Sequence, residues 1–118
     1  MRMIDANIVF SKISFQADID YHTYPRSIYE CPVCKNKLSF NMHDFDKYAL
    51  NTKSIFPLEE QERIKKFAKK KDLKKSNSFI DFYCPQCNMP TRIYYLTWAG
   101  GRYTGGHELE FIVIDCLT

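Results

Sequence analysis

Two short cysteine motifs constrain this chain of 118 residues more than anything else in it. Cys31-Pro32-Val33-Cys34 and Cys84-Pro85-Gln86-Cys87 each place two thiols with two residues between them. That spacing lets one tight turn aim both sulfurs at a single point. Two such turns face to face supply four thiolates, the tetrahedral set that zinc prefers in structural sites. Each proline stiffens its turn and carries no N–H, so neighbouring backbone donors are left to point at sulfur. The expected ligands of one structural Zn²⁺ are therefore Cys31, Cys34, Cys84 and Cys87. Cys116, the remaining cysteine, is expected to be a core thiol on the face of Ile112 and Ile114.

Other uses of the same motif remain open. Cys-Pro-x-Cys also opens a helix in glutaredoxin-like βαβ units. Here the residues after each pair, Lys35-Asn36-Lys37-Leu38 and Asn88-Met89-Pro90-Thr91, read as strands. A redox site also needs only one such pair. Iron in a rubredoxin-like cage would use the same four sulfurs, so an electron carrier stays among the alternatives.

The paired knuckles resemble the zinc-ribbon superfamily, in which each knuckle sits at the tip of a β-hairpin and the metal joins the tips. The resemblance covers the knuckles and their flanking strands. Ribbons commonly separate the knuckles by about 15–20 residues, whereas residues 35–83 intervene here. The glycine usual after each second cysteine is replaced by Lys35-Asn36 and by Asn88; asparagine is the next-best residue for a left-handed turn. The resemblance implies a zinc-binding hairpin pair carrying a large insertion, and it implies no activity.

A hydrophobic content of 45% and a charged content of 26% fit one folded domain over residues 1–118. Residues 1–7 lack the apolar stretch of a signal peptide, and the apolar run at 111–114 is far too short to cross a bilayer. A cytoplasmic protein with no membrane partner is expected, and paired cysteines at this spacing fit a reducing compartment. The net charge of +3 conceals a segregation: seven lysines and one aspartate give residues 65–75 a charge of +6 and leave −3 for the remainder. The basic patch is local and does not extend over the chain.

The expected fold class is α+β: an antiparallel β core with the knuckles at its hairpin tips and a one- or two-helix insertion at about 42–75. Alternation of Ile13, Phe15 and Ala17 predicts one strand within 8–20, followed by a turn over 21–25. Residues 27–30 and 37–41 should flank the first knuckle. A short helix is expected at 44–50 with Asp44 as its cap, and a longer one at 54–75 with Pro57 in its first turn. Its acids lie near the N-terminal end and its lysines near the C-terminal end, as the helix dipole favours. Residues 79–83 should enter the second knuckle, and 91–98 and 107–116 should form a hairpin. In its last strand Leu109, Phe111 and Val113 are expected on one face, with Glu108, Glu110, Ile112 and Ile114 on the other.

No nucleophile elbow, Walker loop or His-Glu-x-x-His helix is present, so the sequence does not read as an enzyme and no small-molecule substrate is expected. His22, His43 and His107 are scattered and read as ordinary histidines. The expected function is a zinc-stabilised protein-protein interaction module. Size and an aromatic content of 15% suggest a small bacterial regulator or a toxin-neutralising immunity-type protein. Its partner surface is placed at the C-terminal hairpin: Arg102 and Tyr103 between glycine pairs at the tip, with Tyr94 and Trp98 on the strand before it. The alternative is a nucleic-acid-binding ribbon that uses Lys65, Lys66, Lys69, Lys70, Lys74 and Lys75 on the basic helix.

Overall fold

The computed structural model describes residues 1–23, 25–48, 53–70, 76–99 and 105–115, without the side chains of Tyr21 and His22. In chain order the elements are β1 (Arg2–Asp5), α1 (Ala6–Val9), β2 (Ser14–Gln16), α2 (Ala17–Thr23), β3 (Arg26–Glu30) and β4 (Lys37–Asn41). They continue with α3 (Met42–Lys47), α4 (Leu58–Lys69), β5 (Ser78–Tyr83), β6 (Pro90–Ala99) and β7 (Gly105–Ile114). The fold is an α+β domain on antiparallel sheets, as the strand patterning predicts.

The main sheet runs β1-β7-β6-β5, and β2 joins the same edge of β7 as β1. β1 pairs with residues 111–114 of β7, and β2 with residues 106–108. β3 and β4 make a separate two-stranded hairpin around the first knuckle. One face of the main sheet carries the larger core, where Phe15, Ile93, Tyr95, Leu109, Ile112 and Ile114 pack with Tyr29 of the hairpin and Phe45 of α3. The other face carries a smaller core in which Phe56 and Ile64 meet Val113, with Met3, Phe67, Tyr83 and Tyr94 against them. The molecule is thus layered: hairpin and short helices, then sheet, then α4.

Local chemistry explains the helix ends. Asn41 caps α3 by a capping box, accepting from the Asp44 N–H at 3.2 Å while Asp44 accepts from the Asn41 N–H at 2.8 Å. The cap is therefore Asn41, not Asp44, and α3 starts two residues before the expected position. α4 starts after Pro57 rather than at Ser54. The Ser54 hydroxyl instead accepts from the Phe56 N–H at 3.1 Å and donates to Asp81. The expected helix over 71–75 lies outside the described residues.

Two other expectations fail for identifiable reasons. The strand expected within 8–20 is only Ser14–Gln16, flanked by α1 and α2, and α2 occupies much of the expected turn. Asp20 draws the chain into that helix: its carboxylate accepts from the Gln16 N–H at 2.5 Å and from the Lys12 ammonium at 2.9 Å. In β7 the expected face assignment breaks at a bulge. Tyr94 lies opposite Phe111 and Tyr95 opposite Leu109, which leaves Glu110 out of the pairing. Leu109 therefore shares the core face with Ile112 and Ile114, while Val113 faces α4. One extra residue is enough to reverse a period-two assignment.

A buried ion pair ties the α4 side together. Arg92 stands directly across from Asp81, with Nε to Oδ1 at 2.6 Å and Nη2 to Oδ2 at 2.8 Å. Both side chains are 1% exposed. The guanidinium also lies 3.9 Å from the centroid of the Phe79 ring and donates to the Tyr94 hydroxyl at 3.3 Å. Each charge is matched and hydrogen-bonded, the condition under which a buried pair is tolerated.

Candidate metal centre

Each knuckle joins two strands of one hairpin, and each is built by the same three backbone features. The Cys31 N–H donates to the Asn36 carbonyl at 2.9 Å, and the Cys84 N–H to the Met89 carbonyl at 3.0 Å. The Lys35 N–H returns to the Cys31 carbonyl at 3.0 Å, and the Asn88 N–H to the Cys84 carbonyl at 2.7 Å. Lys35 and Asn88 are then the residues that turn left-handed, at φ 64° and φ 60°. The asparagine meets this as expected; the lysine does so without a side chain suited to it.

The two hairpins are held face to face by packing that reaches well beyond the cysteines. Alternation in β3 buries Ser27 and Tyr29 and exposes their neighbours. The Ser27 hydroxyl donates to the Lys12 carbonyl at 2.6 Å and accepts from the Lys12 N–H at 3.0 Å, fastening the hairpin to the segment before β2. Phe82 of β5 meets Tyr29 edge-on at 5.7 Å and Phe40 of β4 at 5.7 Å. Tyr29 lies beneath the knuckles, and burial pushes its hydroxyl well above the usual phenol range.

The result is a cage of four sulfurs that all lie within 4.8 Å of one another. Cys31 and Cys87 approach to 3.8 Å and Cys34 and Cys84 to 3.5 Å, both between knuckles. A tetrahedron with Zn–S bonds of about 2.3 Å has edges of about 3.8 Å. The four donors are therefore positioned for a metal ion of that size. Cys31 and Cys84 are buried, Cys34 is half-buried, and Cys87 is exposed. Among the described residues no histidine or carboxylate joins them.

The thiols sit in unlike surroundings. Burial pushes the Cys84 thiol up, but the Cys87 and Gln86 N–H groups and the Cys34 and Cys87 thiols donate to it and bring it down to about 7. Cys87, though exposed as a residue, is pushed up to about 12, first by partial desolvation of its sulfur and then by the sulfurs of Cys84, Cys34 and Cys31, against a donation from the Met89 N–H. Cys34 receives the Asn36 N–H, yet burial and the sulfurs of Cys84 and Cys31 leave it raised. Negative charge collected on one sulfur discourages it on the next. Full deprotonation needs a cation at the centre, which is how such sites couple metal binding to proton release. Donor type, number and spacing all fit a structural divalent metal.

The other sequence-selected residues are dispersed. Arg102, Tyr103, Lys74, Lys75 and Cys116 lie outside the described residues, as does the side chain of His22. Lys65, Lys66, Lys69 and Lys70 are exposed on or just after α4. Tyr94 and Trp98 share the face opposite Tyr95, as alternation requires, but Tyr94 packs into the smaller core. Trp98 is 37% exposed and lies over its cross-strand neighbour Gly106. A Cβ there would collide with the Phe15 carbonyl oxygen and stand 2.8 Å from the indole. His107 is buried, with Nδ1 bonded to the Thr97 hydroxyl at 3.0 Å. Burial keeps it below the usual histidine range despite Asp46 nearby.

Sequence reasoning did not find Tyr29 or Phe82, which seat the two hairpins against each other; their only signal was position, two residues before a knuckle cysteine in each strand. No helix among the described residues is long and apolar enough to cross a membrane. No protein-family model, curated protein or solved structure matches the chain.

Proposed function

We propose that the chain is a zinc-stabilised binding module of zinc-ribbon type whose work is protein-protein interaction rather than catalysis. One observation carries the reading: four protein sulfurs lie within 4.8 Å of one another where the hairpin meets the main sheet. Four thiolates saturate a tetrahedral ion, and a catalytic zinc needs an open position for water or substrate. The metal then acts as a brace, and activity is left to the surface. A small bacterial regulator or an immunity-type inhibitor of a toxin is the kind of protein this describes. The partner surface is proposed at the C-terminal hairpin, where Trp98 supplies exposed aromatic area and Arg102 and Tyr103 follow it closely in the sequence. The test is capture of partners from cell lysate by wild type and by Arg102→Ala/Tyr103→Ala. Loss of a partner at unchanged zinc content and melting temperature supports the hairpin; retention of every partner moves the interface elsewhere.

One observation favours a second reading. Lys65, Lys66, Lys69 and Lys70 are all exposed, so the basic helix end is available to phosphate. The net −3 of the remaining chain opposes that use. Wild type is expected to bind nucleic acid no more tightly than about 10⁻⁴–10⁻⁶ M at physiological salt, the non-specific range. Submicromolar binding that falls on replacing Lys69, Lys70, Lys74 and Lys75 with glutamine would put the nucleic-acid reading first.

A further inference from the structure

Beside the second knuckle lies a cleft of about 340 Å³ between β4 and β5. Residues 38–40 form one wall and residues 80–83 the other, and Asp44, Tyr48 and Pro85 complete the lining. Successive strand residues point to opposite faces. A wall made of consecutive residues is therefore the edge of the strand, where its backbone is presented. β4 pairs with β3 on its other side, and β5 with β6. Among the described residues no further strand pairs with either of them. Such edges offer a row of backbone donors and acceptors to an incoming extended chain.

The side chains say what that chain should carry. Phe40, Tyr48, Phe82 and Tyr83 bring four aromatic residues to the lining, and aromatic rings attract cations. The lining holds two carboxylates and no lysine or arginine. The Asp81 carboxylate is neutralised by Arg92, so the charge left over is that of Asp44. The rings are set in place by the core, with Phe40 5.7 Å from Phe82 and Tyr83 5.1 Å from Phe56. One ring already faces a cation: the Lys47 ammonium stands 5.5 Å from the Tyr48 centroid. The volume sits at the lower end of the range for ligand clefts, about 300–1,000 Å³, and suits a short stretch of chain.

We propose that the β4–β5 cleft binds an extended, basic peptide segment of a protein partner by strand addition, with a lysine or arginine side chain held against the aromatic lining near Asp44. This rests on the reading of the chain as a protein-binding module and adds to it a second contact, apart from the C-terminal hairpin, with the chemistry of the segment it takes. The probe is the pentapeptide acetyl-Val-Lys-Val-Lys-Val-amide, titrated into the zinc-loaded full chain while backbone amide NMR shifts are followed. Shifts should concentrate on residues 38–40 and 80–83. The glutamate counterpart of the peptide should bind at least fivefold more weakly, and so should a version N-methylated on its backbone. Asp44→Asn should weaken the lysine peptide about fivefold; asparagine can still accept at the α3 cap, and an unchanged spectrum elsewhere will confirm the fold. No shifts at millimolar peptide, shifts elsewhere, or equal binding of the glutamate peptide would overturn the proposal. Absent cleft shifts alongside partners still captured by wild type remove the cleft alone. Cleft shifts without any captured partner keep the cleft and remove the module reading.

Discussion

Lys35 occupies a left-handed backbone position at φ 64° inside a turn that every other feature of the knuckle requires. For a residue with a Cβ that conformation costs roughly 1–2 kcal/mol, part of which glycine gives back in chain entropy. Lys35→Gly should therefore stabilise the zinc-loaded protein by about 1 kcal/mol in urea unfolding. Asn88→Gly, at φ 60°, should gain less, because asparagine tolerates this region. A loss of stability in Lys35→Gly would mean that the lysine side chain contributes something its geometry does not reveal. The need for a left-handed residue after each second cysteine was legible in the sequence; that lysine would accept it was not.

The Arg92–Asp81 pair makes a sharper residue-scale prediction. Arg92→Met alone leaves a buried carboxylate without its cation and should destabilise the fold by about 3–5 kcal/mol. The double variant Arg92→Met/Asp81→Leu should recover most of that loss, since apolar pairs of similar volume often replace buried ion pairs at little cost. Equal losses in the single and double variants would show that the pair is needed for something beyond its own charge balance. Neither residue stands out in the sequence as a partner of the other. They become neighbours only once the strand register sets Asp81 opposite Arg92.

At the scale of elements, α4 is joined to the end of β7 by a group that titrates near neutrality. Beside Asp115 the Glu60 carboxyl is raised to about 7, first by hydrogen bonding with Asp115, then by burial and by the charge of Asp115, against the pull of Arg63. Arg63 meanwhile bonds both, at 3.1 Å to Glu60 and 3.2 Å to Asp115. A carboxyl raised above its ordinary 4.5 contributes stability that is complete below that value and fades as pH rises through about 7. His107 acts in the opposite sense. Its folded value is lowered, so its contribution is complete above the ordinary 6.5 and fades as pH falls. Glu60→Gln keeps a donor toward Asp115 at every pH. Its melting temperature should exceed that of wild type by a margin that widens between about pH 4.5 and 7 and levels off above; a constant margin would contradict the raised carboxyl.

The same scale shows where the sequence could be read and where it could not. The strands flanking both knuckles follow from alternation beside a stiff turn, and their bounds are met within a residue or two. The segment before them failed because Asp20 bonds locally to the Gln16 N–H, and no periodicity announces a side chain competing for the backbone in this way. The bulge at Glu110 was hidden for a related reason: strict alternation contains no mark of an unpaired residue. The site was the most legible part, because thiol spacing encodes its own geometry.

At the scale of the whole molecule, the cage joins a two-stranded hairpin to a five-stranded sheet, with Cys31 and Cys34 between the strands of the hairpin and Cys84 and Cys87 between β5 and β6 of the main sheet. Aromatic contacts from Tyr29, Phe40 and Phe82 assist the joint, but a small domain gains much of its cohesion from such a staple. Cys84→Ser should accordingly lose zinc and become insoluble or melt far below wild type, while Cys116→Ser should keep its zinc. The most direct test is metal analysis of the purified chain together with its melting curve before and after chelation. One equivalent of zinc per chain, with a large fall in melting temperature on removing it, is the result expected. Less than about half an equivalent after metal-replete expression, a red iron-loaded protein, or a melting curve unchanged by chelation would contradict a structural zinc at the junction.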